Sequence, residues 1–301
     1  MNSTFTTYVT TWGTASKSQD PLSIIQSMIN VGACKAGTKI VLAFASFNFT
    51  SQDYIPGFGN ISMQEVQTIA SNVHAAGAKL SLSIGGATYP FANSDLYSRP
   101  GDLANNINAI CAKCGFDGVD FDIEDYYGSV PSDFAQQAAS VINTLRSLNS
   151  SLYITLTTPA QAWAQGMYQQ NLLNLTIGNI NAWQPMEYDL WIDPSNTYKE
   201  QIEWDINYYI NTWKVDPSKI ILGLMPGPDD IPRNLSLQDA LNLTTFAKNT
   251  GCQGVMTWDA NIDSLGADNN APWAYCMGIQ SLLNTNKNSR LNNLNKKRKL
   301  A

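Results

Sequence analysis

Asp120, Asp122 and Glu124 stand two residues apart in the run Asp117-Gly118-Val119-Asp120-Phe121-Asp122-Ile123-Glu124, with Val119, Phe121 and Ile123 between them. This period-two alternation of acidic with β-branched and aromatic residues predicts a strand. A pleated strand sends the apolar set to one face and the acids to the other, with like-facing Cα atoms roughly 6.5–7 Å apart. Carboxyl groups that close repel one another and must share protons, which drives their pKa values apart. Groups so separated can give and take protons, so the chemistry on offer is acid–base catalysis. Structure alone explains such a row poorly, because burying an ionised carboxylate is costly unless it is paired or neutralised. The competing reading is a solvated acidic face on an antiparallel strand. The rest of the chain argues against it.

Elements able to hold that row recur along the chain. Strands are predicted at Thr6–Trp12, Lys39–Phe49, Lys79–Ile84, the acidic run, Tyr153–Thr158, Ala182–Leu190, Lys219–Leu224 and Gly254–Asp259. Helices alternate with them. Asp20-Pro21 opens one that runs to about Val31, with an acidic cap and a proline in the first turn. Ser62-x-x-Glu65 is a capping box for a helix ending at Gly77, and Ser236-x-x-Asp239 caps another that runs to about Asn249. Further helices are predicted at Gly101–Cys114, Pro131–Leu148, Thr197–Trp213 and Pro272–Leu283. Eight strand–helix units of similar length predict one α/β domain, a (β/α)8 TIM barrel over residues 1–283. The carboxylates then point into the barrel. Active sites of such barrels lie at the C-terminal strand ends, where Asp122, Glu124, Tyr188, Asp189 and Trp258 fall.

The 301-residue chain is long enough for a full single-domain core. Charged residues make up 14%, against about 25% in ordinary globular domains. Net charge is −6 although the stretch from Asn284 to Ala301 holds six basic residues and no acid. The body is therefore acidic, which argues against a nucleic-acid partner. The basic tail reads as disordered, and Lys299-Leu300-Ala301 resembles an expression-vector junction. No apolar run reaches the ~18 residues of a membrane span. Cys34, Cys111, Cys114, Cys252 and Cys276 are odd in number, so a monomer keeps at least one free thiol. Cys111-x-x-Cys114 has no second half, and His74 is the sole histidine, so zinc is not expected. Met1 leads almost directly into a strand and no signal peptide is visible. Seven Asn-x-Ser/Thr sequons, from Asn2 to Asn242, are compatible with secretion without showing it.

Four motifs carry a family resemblance. Asp117 to Glu124 resembles the DGxDxDxE signature of glycoside hydrolase family 18, the chitinases and their relatives. Ser83-Ile84-Gly85-Gly86 resembles the family's SxGG. Met186-Glu187-Tyr188-Asp189 is similar to its MxYD, and Trp258 ends the last strand as in the family. The glycines suggest close approach of backbone to backbone or ligand. Glu187 departs from the small or polar residue often found there, and its parity points it away from the barrel. Only 27 residues separate Leu224 from Cys252, too few for the inserted α+β module of deep-tunnel members. The resemblance thus implies a shallow, open groove.

The resemblance implies retaining hydrolysis in which the substrate's own acetamido oxygen attacks the anomeric carbon. That chemistry is an exception to the two-carboxylate rule. It implies that Glu124 is the general acid, that Asp122 holds the acetamido group, and that Asp120 shares a proton with Asp122. It further implies that Tyr188 donates to the acetamido oxygen and that Trp258 is the floor beneath the sugar. Met186, Asp189, Gly86 and Tyr126 are the further expected substrate contacts. No metal or cofactor is implied. The expected partner is chitin or N-acetylglucosamine oligosaccharide, met by a monomer, and that substrate class points to an extracellular setting. The leading expectation is an endo-acting chitinase. The rivals are an endo-β-N-acetylglucosaminidase acting on N-glycan cores and a non-catalytic chitin-binding lectin.

Overall fold

A computed structural model describes residues 3–13, 19–59, 61–125, 130–161, 168–228 and 234–284. The expected basic tail, beyond residue 284, lies outside them, as does Tyr126. The first half runs β1 (Thr4–Thr10), α1 (Pro21–Asn30), β2 (Thr38–Ala45), α2 (Met63–Ala75), β3 (Lys79–Gly85), α3 (Pro100–Cys114), β4 (Gly118–Asp122) and α4 (Phe134–Leu148). The second half runs β5 (Tyr153–Pro159), α5 (Gln169–Thr176), β6 (Ala182–Met186), α6 (Tyr198–Asn211), β7 (Ile221–Leu224), a hairpin of β8 (Gly227–Pro228) and β9 (Asn234–Leu235), α7 (Leu237–Thr250), β10 (Gly254–Thr257), α8 (Ala260–Asp263) and α9 (Ala274–Asn284).

The parallel strands close in the order β1-β10-β7-β6-β5-β4-β3-β2. This is the expected single (β/α)8 barrel, with no inserted module between β7 and β10. Only the short hairpin and α7 intervene among the described residues.

The sequence dictates most helix starts through side-chain caps. Asp20 accepts the N–H groups of Leu22 and Ser23 at 3.3 and 3.0 Å. Ser62 and Glu65 form the capping box, with the Ser62 N–H 2.8 Å from the Glu65 carboxylate. α5 has no such cap and was not expected. Tyr168 stands at its N-terminus with no side-chain hydrogen bond to the helix, so no local signal marks it.

Two predicted strands run four residues too long at the C-terminal end, and those at β1, β4 and β10 two. β2 ends at Ala45, beyond a register shift after Leu42, and the next N–H, of Ser46, bonds the Pro56 carbonyl at 2.7 Å instead of the sheet. β6 ends at Met186, and Asp189 turns with a φ of 53°.

The pleat of β4 sorts its residues as expected. Val119, Phe121 and Ile123 are buried outward in one core cluster with Ile107 and Ile110 of α3 and Ile142 and Leu145 of α4. Each such side chain contributes roughly 1.5–3 kcal/mol by leaving water. Asp120 and Asp122 face the interior. Asp120 is flanked in register by Ser83 on β3 and Thr155 on β5.

Asp117 sits at the opposite strand end as a hydrogen-bonding hub. It takes Lys79 and His74 at 2.8 Å each and the Leu80 N–H at 2.9 Å. All five cysteines are buried free thiols. Among the described residues no helix is long and apolar enough to cross a membrane.

Candidate active site

Asp120 is fully buried in the barrel, and five donors converge on it. One oxygen accepts the Tyr8 and Ser83 hydroxyls at 2.7 Å each. The other accepts Thr155 and Thr157 at 2.7 Å each and the Gln184 amide at 3.2 Å. These donors come from β1, β3, β5 and β6, so closing the barrel builds the nest. Burial pushes the Asp120 carboxyl up, and the hydroxyls pull it back toward the charged form.

Asp122, one layer higher, leans the other way. Its hydrogen bond is with Glu124, and Asp120 acts on it only through charge. Burial first, then the charges of Glu124 and Asp120, hold its carboxyl well above the ordinary range. Asp122 therefore carries the proton of its bond to Glu124. Asp120, the expected proton-sharing partner, acts on Asp122 through its charge from the layer below.

Glu124 follows the end of β4 and is partly open to the cleft. Burial raises its carboxyl from 4.5 to about 7, against the pull of the Ala87 N–H and Asp122. That value suits a group that donates a proton at mild pH and takes one back.

A cleft of about 260 Å³ opens above these acids. Glu124 and Asp122 line it, as do Tyr188, Met186, Asp189 and Trp258. Burial, and then the charges of Asp122 and Glu124, keep the Tyr188 phenol protonated to well above pH 10. Its hydroxyl forms no hydrogen bond with another described residue, so it is available as a donor. The Trp258 indole is stacked on Phe44, with centroids 5.4 Å apart and planes 15° from parallel. Tyr8 meets the same indole edge-on at 5.5 Å. Trp12, half exposed at the rim, completes the cluster, stacked on Phe44 at 5.9 Å and tilted against Trp258 at 6.4 Å.

The glycine pair works through contacts that exclude a side chain. A Cβ on Gly85 would lie 1.9 Å from the Asp122 carbonyl oxygen. One on Gly86, whose φ is +72°, would lie 2.6 Å from the Phe44 ring. Gly86 thus makes room for the ring behind Trp258, while the next two residues, Ala87 and Thr88, line the cleft.

Several site residues escaped the sequence reading. Thr155, Thr157 and Gln184 carried no motif, and Phe44 lay in what read as plain strand. Asp125, beside Glu124, is buried and accepts the Phe91 and Ala92 N–H groups at 3.0 and 2.8 Å, pinning the loop after β3. The signal available for these was strand parity. Thr155 and Thr157 share the inward parity on β5, as Gln184 and Met186 do on β6. Among the described residues no cluster of three or more His, Cys, Asp or Glu could hold a metal ion.

The sequence model described as glycosyl hydrolases family 18 matches residues 4–227 of this chain, well over half of it. The chain belongs to that family. The match spans β1 to the start of the hairpin and includes every acid discussed. Trp258 lies beyond it, placed by the closing strand β10. Among solved structures, a family 18 chitinase from Pseudoalteromonas aurantia superposes with a TM-score of 0.70 at 18% identity, covering 93% of this chain and 100% of its own. Active domain 2 of the thermostable chitinase from Pyrococcus furiosus, crystallised as catalytic-site mutants with chito-oligosaccharides, gives 0.71 at 17% identity over 94% and 95%. The Group IV chitinase of Ostrinia furnacalis, bound to allosamidin, gives 0.69 at 14% over 93% and 98%. At these identities the likeness establishes the shared fold. Comparison with curated proteins returned no match.

Proposed function

We propose that this family 18 glycoside hydrolase is an endo-chitinase, cutting β-1,4-linked N-acetylglucosamine chains with retention of configuration. The observation that carries the reading is the convergence in one cleft of Glu124, Asp122, the Tyr188 hydroxyl and the Trp258 indole. Glu124 protonates the leaving glycosidic oxygen. The acetamido oxygen attacks the anomeric carbon from the other face, forming an oxazolinium ion. Tyr188 donates to that oxygen, and Asp122 holds the acetamido N–H and answers the growing positive charge. Asp120, buried among its five donors, takes the Asp122 proton as the charge develops, leaving Asp122 ionised against the oxazolinium ion, and gives it back afterwards. Glu124, now a carboxylate, activates the water that opens the intermediate.

Trp258 lies under the sugar with its apolar face, and Met186 and Asp189 contact the sugar's edge. The absence of a module between β7 and β10 leaves the groove open, which suits attack within a polymer. Neighbours of the same fold crystallised with chito-oligosaccharides and with allosamidin support the substrate class. The enzyme works as a monomer outside the cell, where its polymer lies.

The mechanism requires the acetyl group. N-acetylglucosamine hexamer should be cut with β-anomers as first products by NMR. The fully deacetylated glucosamine hexamer should be left intact. Equal cleavage of both would overturn substrate assistance.

A further inference from the structure

Glu187 lies between two cleft residues, Met186 and Tyr188, and points to the outside of the barrel. It is not solvated there. Glu187 and Asp205 of α6 are both fully buried, as are their neighbours Gln201 and Tyr209. Neither Glu187 oxygen receives a well-formed N–H or hydroxyl hydrogen bond. The groups in reach are the Asp205 carboxyl and, more loosely, the Tyr209 hydroxyl. From β7 the contact is backbone, the Gly223 carbonyl accepting the Glu187 N–H at 3.1 Å. Two carboxyls in contact, sealed from water, hold a proton between them, because two charges there would each go uncompensated.

The segment concerned needs an anchor. β6 ends at Met186, and the Tyr188 N–H turns back to the Met186 carbonyl at 2.8 Å rather than joining the sheet. Beyond Met186 the Glu187 N–H still ties the chain to β7. α6 supplies what the ladder no longer does. The Gln201 amide donates to Asp205 at 3.1 Å, while its carbonyl oxygen accepts the Asp193 N–H at 3.2 Å and the Asn196 amide at 3.0 Å. One helical turn thus grips both the Tyr188 segment and the loop beyond it. Tyr209 packs edge-on against Trp183 of β6 at 4.7 Å, fixing that turn against the strand.

We propose that the Glu187–Asp205 contact is a positioning device for Tyr188, clamping the end of β6 to α6 so that the phenol is held at its place in the cleft. The proposal rests on the chitinase reading, since Tyr188 matters through the acetamido group it is aimed at. Glu187 touches no substrate and acts only through its neighbour. A displacement of the order of 1 Å at a catalytic group can cost ~100-fold in rate.

The test pairs kinetics with stability on N-acetylglucosamine hexamer. Glu187→Gln keeps a donor to Asp205 and should stay within about three-fold of wild type. Glu187→Ala should lose at least ten-fold in kcat with KM little changed. It should add almost no further loss in a Tyr188→Phe background, because the two act through one hydroxyl. The double variant Glu187→Leu/Asp205→Leu guards against misfolding, since apolar replacement of a buried pair often leaves stability intact. It should melt near wild type yet lose at least ten-fold in kcat. Wild-type kcat in a folded double variant, or full additivity with Tyr188→Phe, overturns the clamp. No turnover by the wild type itself would sink the chitinase reading and the clamp with it.

Discussion

The Tyr8 hydroxyl reaches Asp120 at 2.7 Å, joining β1 to β4 across the barrel interior. The same ring touches Trp258 edge-on. One phenol thus links the deepest acid to Trp258, the proposed sugar floor. Tyr8→Phe keeps the ring and removes the donor. Loss of a hydrogen bond to a charged group should cost about 1.5–3 kcal/mol by denaturant unfolding. It should also lower kcat more than it raises KM, because Trp258 keeps its packing. An unchanged stability would mean that the remaining four donors suffice.

Glu124 sets the pH behaviour. As an acid it works while protonated, so kcat/KM should fall as pH rises through about 7. Stability follows the same sense. Burial raises Glu124 from 4.5 and Asp259 from 3.8, each to about 7. The folded state then binds these protons more tightly than the unfolded chain, and stability falls as pH rises from about 4 to 7. Melting temperature should be higher at pH 5 than at pH 8, and Glu124→Gln should flatten part of that slope. A melting temperature that climbs across the window contradicts the assignment.

Gly86→Ala places a methyl against the Phe44 ring at a backbone angle that disfavours any side chain. Phe44 must move, and Trp258 stacked on it moves too. KM for the hexamer should rise at least five-fold with a smaller change in kcat, read by steady-state kinetics. Unchanged KM would separate Phe44 from the sugar floor.

Away from the site, Arg146 of α4 donates to the carbonyls of Asn179 and Leu152 at 2.8 Å each and to the Asn181 side chain at 2.6 Å. Its planar fork ties α4 to the chain entering β5 and β6. Arg146→Lys offers one point charge for that fork and should destabilise by about 2 kcal/mol, with kcat unchanged. A parallel loss of kcat would show that the tie reaches the active site.

The acid strand, the glycine pair and the Met186–Asp189 segment were legible in the sequence because each is a local pattern whose parity decides where it points. The helices with caps were legible for the same reason. What stayed hidden depends on closure. Tyr8 and Gln184 meet at Asp120 only once strands far apart in sequence share an interior. α5 has neither a side-chain cap nor a proline at its start, and so left no mark. Glu187 was rightly read as pointing outward, but parity alone does not reveal that Asp205 waits there.

The central claim is that Glu124 drives hydrolysis of N-acetylglucosamine linkages. The most direct measurement incubates wild type and Glu124→Gln with the chitin hexasaccharide and, in parallel, with a high-mannose glycoprotein, and reads products by mass spectrometry. Wild type should release di- and trisaccharides from the hexamer and leave the glycoprotein intact. Glu124→Gln should bind the hexamer but turn it over roughly 10²–10⁴-fold more slowly. Glycans released with one N-acetylglucosamine left on each Asn, an intact hexamer with wild type, or undiminished turnover by Glu124→Gln would contradict the account.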